Sequence, residues 1–205
     1  LIPEVEKVVC PPFTAIPDVA RALADADIGV GTQNMYWEES GAYTGEVSPL
    51  MAKEFCEYVI IGHSERREYF GETDETVNRK VKAAFSHQLT PIVCVGETQE
   101  LRESGKTETW VEDQVTAALN GLTAEQVATL ILAYEPIWAI GTGLAATAEQ
   151  AEEVCGPVIR AKIKELYDAD TAEAVRIQYG GSIKPHNAEE LMSQPNIDGG
   201  LVGGA

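Results

Sequence analysis

Glu135 directly follows the apolar run Thr129 to Tyr134, and His63 directly follows Tyr58 to Gly62. A carboxylate and an imidazole leaving two buried strands could move a proton between neighbouring carbons of a small molecule. The carboxylate would abstract it and the ring would hydrogen-bond the adjacent oxygen. Tyr179-Gly180-Gly181-Ser182 and Val202-Gly203-Gly204-Ala205 add glycines whose backbone N–H groups can approach a phosphate closely. Separately, each feature has a blander reading. A lone strand-end histidine more often caps a structure, a lone glutamate is usually solvated, and paired glycines usually make turns. On one rim they become the parts needed for proton transfer on a phosphorylated substrate. His87, after an amphipathic helix face, and His186, in Lys184-Pro185-His186-Asn187, read as surface residues.

The neighbours of these residues sharpen the reading. Pro136 biases Glu135 towards an extended conformation and directs the chain out of the sheet. Ile137, Trp138, Ala139 and Ile140 then place apolar bulk in a loop, and Gly141-Thr142-Gly143 supplies a flexible hinge, so Pro136 to Gly143 reads as a lid. His63 opens a helix beginning Ser64-Glu65-Arg66. The positive end of that helix dipole is expected to lower the ring's pKa and keep it neutral.

Converging these groups requires strands that all point one way. Seven short β-rich runs recur: Lys7 to Cys10, Ile28 to Thr32, Tyr58 to Gly62, Pro91 to Gly96, Thr129 to Tyr134, Val175 to Tyr179 and Gly199 to Gly204. They are apolar without alternation, as parallel strands covered on both faces are. Helix signals separate them. Thr123 to Gln126 and Thr147 to Gln150 read as capping boxes, and Ser48-Pro49 as an N-cap followed by proline at the first helical position. Gly156 and Pro157 interrupt an otherwise helical face with no evident purpose. The class is α/β with a parallel sheet. The pattern alone leaves a doubly wound sheet and a closed barrel both open. In either, the strand carboxyl ends share one rim, bringing together Gln33, Asn34, His63, Ser64, Glu65, Glu97, Glu135, Gly180 to Ser182, Gly203 and Gly204.

The 205 residues are 44% hydrophobic and 23% charged, an ordinary composition for one domain over 1–205. A formal charge of −18 should repel nucleic acid and anionic lipid. A phosphorylated substrate would meet the same field, so its site must concentrate positive potential locally. No apolar run approaches the roughly 18 residues of a membrane span, and the start lacks a secretory pattern, so a cytoplasmic protein is expected. Cys10, Cys56, Cys94 and Cys155 are scattered without ligand spacing, which suggests neither disulfides nor a metal site.

Ala133 to Gly143, AYEPIWAIGTG, resembles the signature of the triosephosphate isomerases. IIGHSERREYFGE, QNMYWEESGAYTGEVSP, YGGSIKPHNAEELMSQPNIDGGLVGGA and VVCPPFTAI are similar to further segments of that family, in family order, so the resemblance covers essentially the whole chain. It implies a (β/α)8 TIM barrel with about seven of its eight strands present. It also implies interconversion of dihydroxyacetone phosphate and glyceraldehyde 3-phosphate in glycolysis and gluconeogenesis, without cofactor or metal. Residue by residue, it implies Glu135 as base, His63 as electrophile and Glu65 as a supporting carboxylate. Phosphate would be held by Gly141, Ser182, Gly203 and Gly204, and Glu97 would be the partner of Trp138 in the open state of the lid. The stretch Gln33 to Pro49 would insert into a second subunit of a homodimer, with Thr44, Gly45 and Glu46 at its tip. The family's first strand, carrying an asparagine and a lysine that touch substrate, and its last helix are not found, so truncation at both ends is expected. Leu144 and Ala145 depart from the usual lid residues. Two alternatives are a non-catalytic phosphate-binding or interaction barrel and an isomerase of another phosphosugar.

Overall fold

The structure is a computed structural model, and it describes residues 4–140 and 145–203. The chain runs β1 (Val8–Val9), α1 (Ile16–Ala22), β2 (Gly29–Thr32), α2 (Pro49–Lys53), β3 (Tyr58–Ile61), α3 (Ser64–Phe70), α4 (Asp74–Ser86) and β4 (Thr90–Val95). It continues through α5 (Gln99–Glu103), α6 (Thr107–Leu119), α7 (Ala124–Val127), β5 (Ile131–Tyr134), α8 (Ala148–Val154), α9 (Ala161–Leu166), α10 (Ala169–Ala174), β6 (Arg176–Tyr179), α11 (Ala188–Met192) and β7 (Gly199–Gly200). All seven expected strands form, and the helices begin where the capping signals lie. Thr123 and Gln126, like Thr147 and Gln150, exchange side-chain and backbone bonds, and Ser48 caps α2 with Pro49 in its first turn.

The seven strands pair in parallel in strict sequence order, β1 to β7. A doubly wound sheet reverses its strand order at a switch point, whereas a barrel adds each strand beside the last. The order therefore decides between the two architectures left open by the sequence, in favour of the barrel type. Burial agrees. Val59, Ile61, Val93, Val95, Leu132 and Ile177 pack against the helices, with Val77, Val81, Val111 and Val115 among their buried companions. The opposite face holds a smaller cluster, Ile60, Ile92, Cys94, Ile131 and Ala133, made of strand residues alone. A face covered without helices is one the sheet covers by curling. Glu6, just before β1, accepts hydrogen bonds from Tyr58 on β3 and from Arg176 on β6, which ties distant strands together across that face.

Gly156 and Pro157 find their account here. Between α8 and α9, Cys155–Arg160 form a π-helical turn, whose wider hydrogen-bond step accommodates a proline lacking an N–H. The turn aims Arg160 at Asn196 Oδ1 (2.7 Å), at the carbonyls of Ala172 (2.7 Å) and Val175 (3.0 Å), and at Asp198 (2.7 Å). Asp198 in turn accepts the Ile177 N–H at 2.7 Å. The α8–α9 junction is thus fastened to the β6–β7 connection. No described helix is long and apolar enough to cross a membrane.

Candidate active site

Parallel pairing puts the carboxyl ends of β3, β4, β5 and β6 side by side, and the site grows from them. Glu135 leaves β5 only 2% exposed. Its backbone N–H donates to Val95 on β4 at 2.8 Å, and the next strand answers with the Gly180 N–H on Tyr134 at 2.7 Å. This close passage explains Gly96: a Cβ there would collide with the Glu135 carbonyl. Gly181 is small for a similar reason, since a Cβ would meet the Tyr179 hydroxyl and the Pro136 ring.

Three donors converge on the Glu135 carboxylate. The Ser64 N–H reaches Oε2 at 2.9 Å, and the Ser64 hydroxyl reaches Oε1 at 3.1 Å. His63 Nε2 lies 2.9 Å from Oε1. The first N–H groups of a helix lack intrahelical partners, so Ser64, opening α3, has a donor to spare. Sequence reading placed Ser64 on the rim without a role, although its position one residue after His63 carried that signal. His63 also caps α3, its Nδ1 accepting the Glu65 N–H at 3.4 Å. With Nδ1 accepting, the proton of a neutral ring sits on Nε2, the nitrogen that faces the carboxylate.

The expected lowering of the His63 pKa is corrected by this geometry. The hydrogen bond to Glu135 raises it above the ordinary 6.5, although burial opposes the shift. A carboxylate in contact outweighs the helix dipole, whose influence is that of about half a charge spread over the helix end. Glu65 stands on the far side of the ring, exposed, with Oε2 3.8 Å from Nδ1.

A second constellation holds the turn that follows Glu135. Glu97, fully buried after β4, accepts on Oε1 from Trp138 Nε1 at 2.9 Å, the Tyr134 hydroxyl at 3.1 Å and Arg102 at 3.3 Å. The Arg102 guanidinium also lies over the Trp138 ring at 4.6 Å. Burial pushes the Glu97 carboxyl up. Pro136 and Ala139 are buried, Ile137 to Ala139 make one turn of 3₁₀ helix, and the Ile137 N–H donates to the Glu97 carbonyl at 3.1 Å. Ile140, the last described residue before 145, is half-buried. Gly141, Thr142, Gly143 and Gly204 lie outside the described residues. Ser182 is half-buried and Gly203 exposed, each just past its strand.

The stretch 33–49 is anchored at its ends and projects in between. Met35 is fully buried, Asn34 Oδ1 accepts from Lys80 at 2.7 Å, and the Tyr36 N–H donates to Val47 at 2.8 Å. Lys80 also pairs with Glu72, which Arg66 contacts as well. Thr44, Gly45 and Glu46 sit exposed at the tip, and the Tyr36 and Tyr43 rings meet with centroids 4.7 Å apart at a tilt of 47°.

Known proteins bear on this geometry directly. The family model described as triosephosphate isomerase matches residues 2–205. The triosephosphate isomerase of Acetivibrio thermocellus is 62% identical over 203 residues, covering 98% of this chain and 80% of its own length. Those of Lactobacillus delbrueckii subsp. lactis and Ligilactobacillus salivarius are 58% and 57% identical over the same coverage. A sheet wound in barrel order, with a buried glutamate and a histidine meeting on its carboxyl rim, is therefore matched along nearly its whole sequence, and the chain belongs to the triosephosphate isomerase family.

Proposed function

We propose that Glu135 and His63 carry the reaction of this triose-phosphate isomerase, with Glu135 as the base. Glu135 takes a proton from the carbon next to the substrate carbonyl, and the electrons of that C–H bond form the enediolate. His63 Nε2–H donates to the oxygen on which charge develops. The hydroxyl proton passes from one substrate oxygen to the other, with His63 Nε2 giving a proton to the charged oxygen and regaining one from its neighbour. Glu135 returns its proton to the adjacent carbon, so the aldose and ketose phosphates interconvert without net gain or loss of atoms. The observation that supports this most is the 2.9 Å contact between His63 Nε2 and Glu135 Oε1. A donor already oriented at a carboxylate oxygen can turn to a substrate oxygen placed beside the same carboxylate. Glu65 supports the ring from its Nδ1 side.

Backbone N–H groups at Gly141, Ser182, Gly203 and Gly204 hold the phosphate, and the Pro136 to Gly143 lid closes over it, excluding the water that would favour loss of phosphate from the enediolate. A coupled assay with glyceraldehyde 3-phosphate tests the reading. Turnover that survives loss of the Glu135 carboxylate would overturn the residue assignment, and phosphate binding without turnover would favour a non-catalytic barrel.

The functional unit is a homodimer. Tyr43, Met51, Tyr69 and Phe70 are 43%, 58%, 69% and 68% exposed, apolar area that a second copy would cover around the projecting Thr44 to Glu46 tip. Sedimentation equilibrium checks this, with a monomer at micromolar concentration as the contrary result. The enzyme works in the cytoplasm, in glycolysis and gluconeogenesis. Its four cysteines, all unpaired, suit a reducing compartment.

A further inference from the structure

Asn187 occupies the N-cap of α11 and is of a residue type that normally caps a helix through its side chain. Here the side chain makes no bond to α11. It turns back towards the preceding loop. Oδ1 accepts the Lys184 N–H at 2.7 Å, and Nδ2 donates to the Ser182 carbonyl at 3.0 Å. The Asn187 backbone N–H adds a bond to the Lys184 carbonyl at 3.1 Å. Both ends of one amide therefore fasten the turn just past Gly180-Gly181.

The two halves of this loop are fixed by different means. Its first half is set by the sheet, through the Gly180 N–H on Tyr134 and the close packing of Gly181 against Tyr179 and Pro136. Beyond Gly181 the chain has left the sheet, and the Ser182 carbonyl is held by Asn187. A peptide unit is planar, so fixing that carbonyl fixes the plane joining Ser182 to Ile183 and limits rotation about Ser182. Donors that must meet a phosphate oxygen lose strength steeply as the angle at the hydrogen departs from linear.

We propose that Asn187 is a positioning residue for the substrate phosphate, acting through the Ser182 backbone. It forgoes the cap of its own helix and pins the phosphate loop instead. The inference rests on the assignment of Ser182 to the phosphate site.

The test compares the parent chain with Asn187→Ala and Asn187→Ser. Serine caps helices about as well as asparagine but is too short to span Lys184 and Ser182 together. A positioning role predicts that both variants bind inorganic phosphate about three- to tenfold more weakly, a weakening comparable to one neutral hydrogen bond, and raise KM for the triose phosphate by a similar factor. Turnover of glyceraldehyde, which has no phosphate, stays at the parent's level. A capping role predicts instead that Ser matches the parent and that Ala alone loses thermal stability. Parent-like phosphate affinity in Asn187→Ser, or an equal loss on glyceraldehyde, overturns the inference. Following the Ser182 amide resonance during a phosphate titration of the parent separates the two assignments. If that resonance does not move, the phosphate site and the inference fall together; if it moves while both variants keep parent affinity, the inference falls alone.

Discussion

Replacing Glu135 with Gln keeps the shape of the side chain and removes its charge, and the surrounding contacts determine the cost. Oε2 accepts the Ser64 N–H, while Oε1 accepts the Ser64 hydroxyl and faces His63 Nε2. An amide offers one acceptor and one donor. Placed with its oxygen towards His63, it sets an NH₂ against the Ser64 N–H, a donor facing a donor. Reversed, it sets the NH₂ against His63 Nε2–H. Either way one buried donor loses its acceptor, at about 1–3 kcal/mol. For a chain of this size that is a fall in Tm of about 2–4 °C per kcal/mol. Turnover falls by about 10²–10⁴-fold, the usual contribution of a positioned general base.

The same substitution acts on His63, whose pKa stands above 6.5 chiefly because of the hydrogen bond to Glu135. Without the carboxylate the ring titrates lower. A pKa raised by folding contributes stability that is complete below the unfolded value and is lost as pH rises through the folded one. The stability gap between parent and variant is therefore widest below about pH 6.5 and narrows above it. Turnover is measured in the coupled assay, His63 titration by NMR, and stability by denaturant unfolding across pH. Near-parent turnover refutes the base assignment. An unchanged His63 titration refutes the claim that Glu135 controls the ring.

His63→Gln keeps a hydrogen-bond donor but misplaces it, so turnover should fall clearly without being abolished; an unchanged rate returns His63 to a role in capping α3. Trp138→Phe removes the indole N–H from the buried Glu97 carboxylate, a charge-assisted bond of about 1.5–3 kcal/mol, and so weakens the contact that holds the lid base in its present position. Under the proposed lid closure, with the Trp138–Glu97 contact belonging to the open state, a closed lid becomes easier to reach and phosphate inhibits about tenfold more tightly. Parent-like inhibition would show that the Glu97 contact does not govern the lid.

What the sequence made legible were features written within a few neighbouring residues. Capping boxes, strand runs and strand-end chemistry lie within windows short enough to see, and all seven strands stand where the runs placed them. The properties that escaped depend on partners far along the chain. Ser64 meets Glu135 across 71 residues, and the direction of the His63 shift comes from that approach rather than from α3. Arg102 stacking on Trp138, and Asn187 turning away from its own helix, are choices of side-chain direction that spacing does not encode. The interruption at Gly156-Pro157 was visible as a conflict, but its resolution needed the network around Arg160.

Strict sequential pairing also bears on how the chain is made. Each strand's earlier neighbour has already been synthesised when it emerges, so a nascent chain can extend its sheet unit by unit behind the ribosome without waiting for distant partners. The bond between Glu6 and Arg176 departs from this order, joining residues 170 positions apart. Its formation must wait until the described strands β1 to β6 have been synthesised, which makes it a natural timer for following assembly on stalled chains of increasing length.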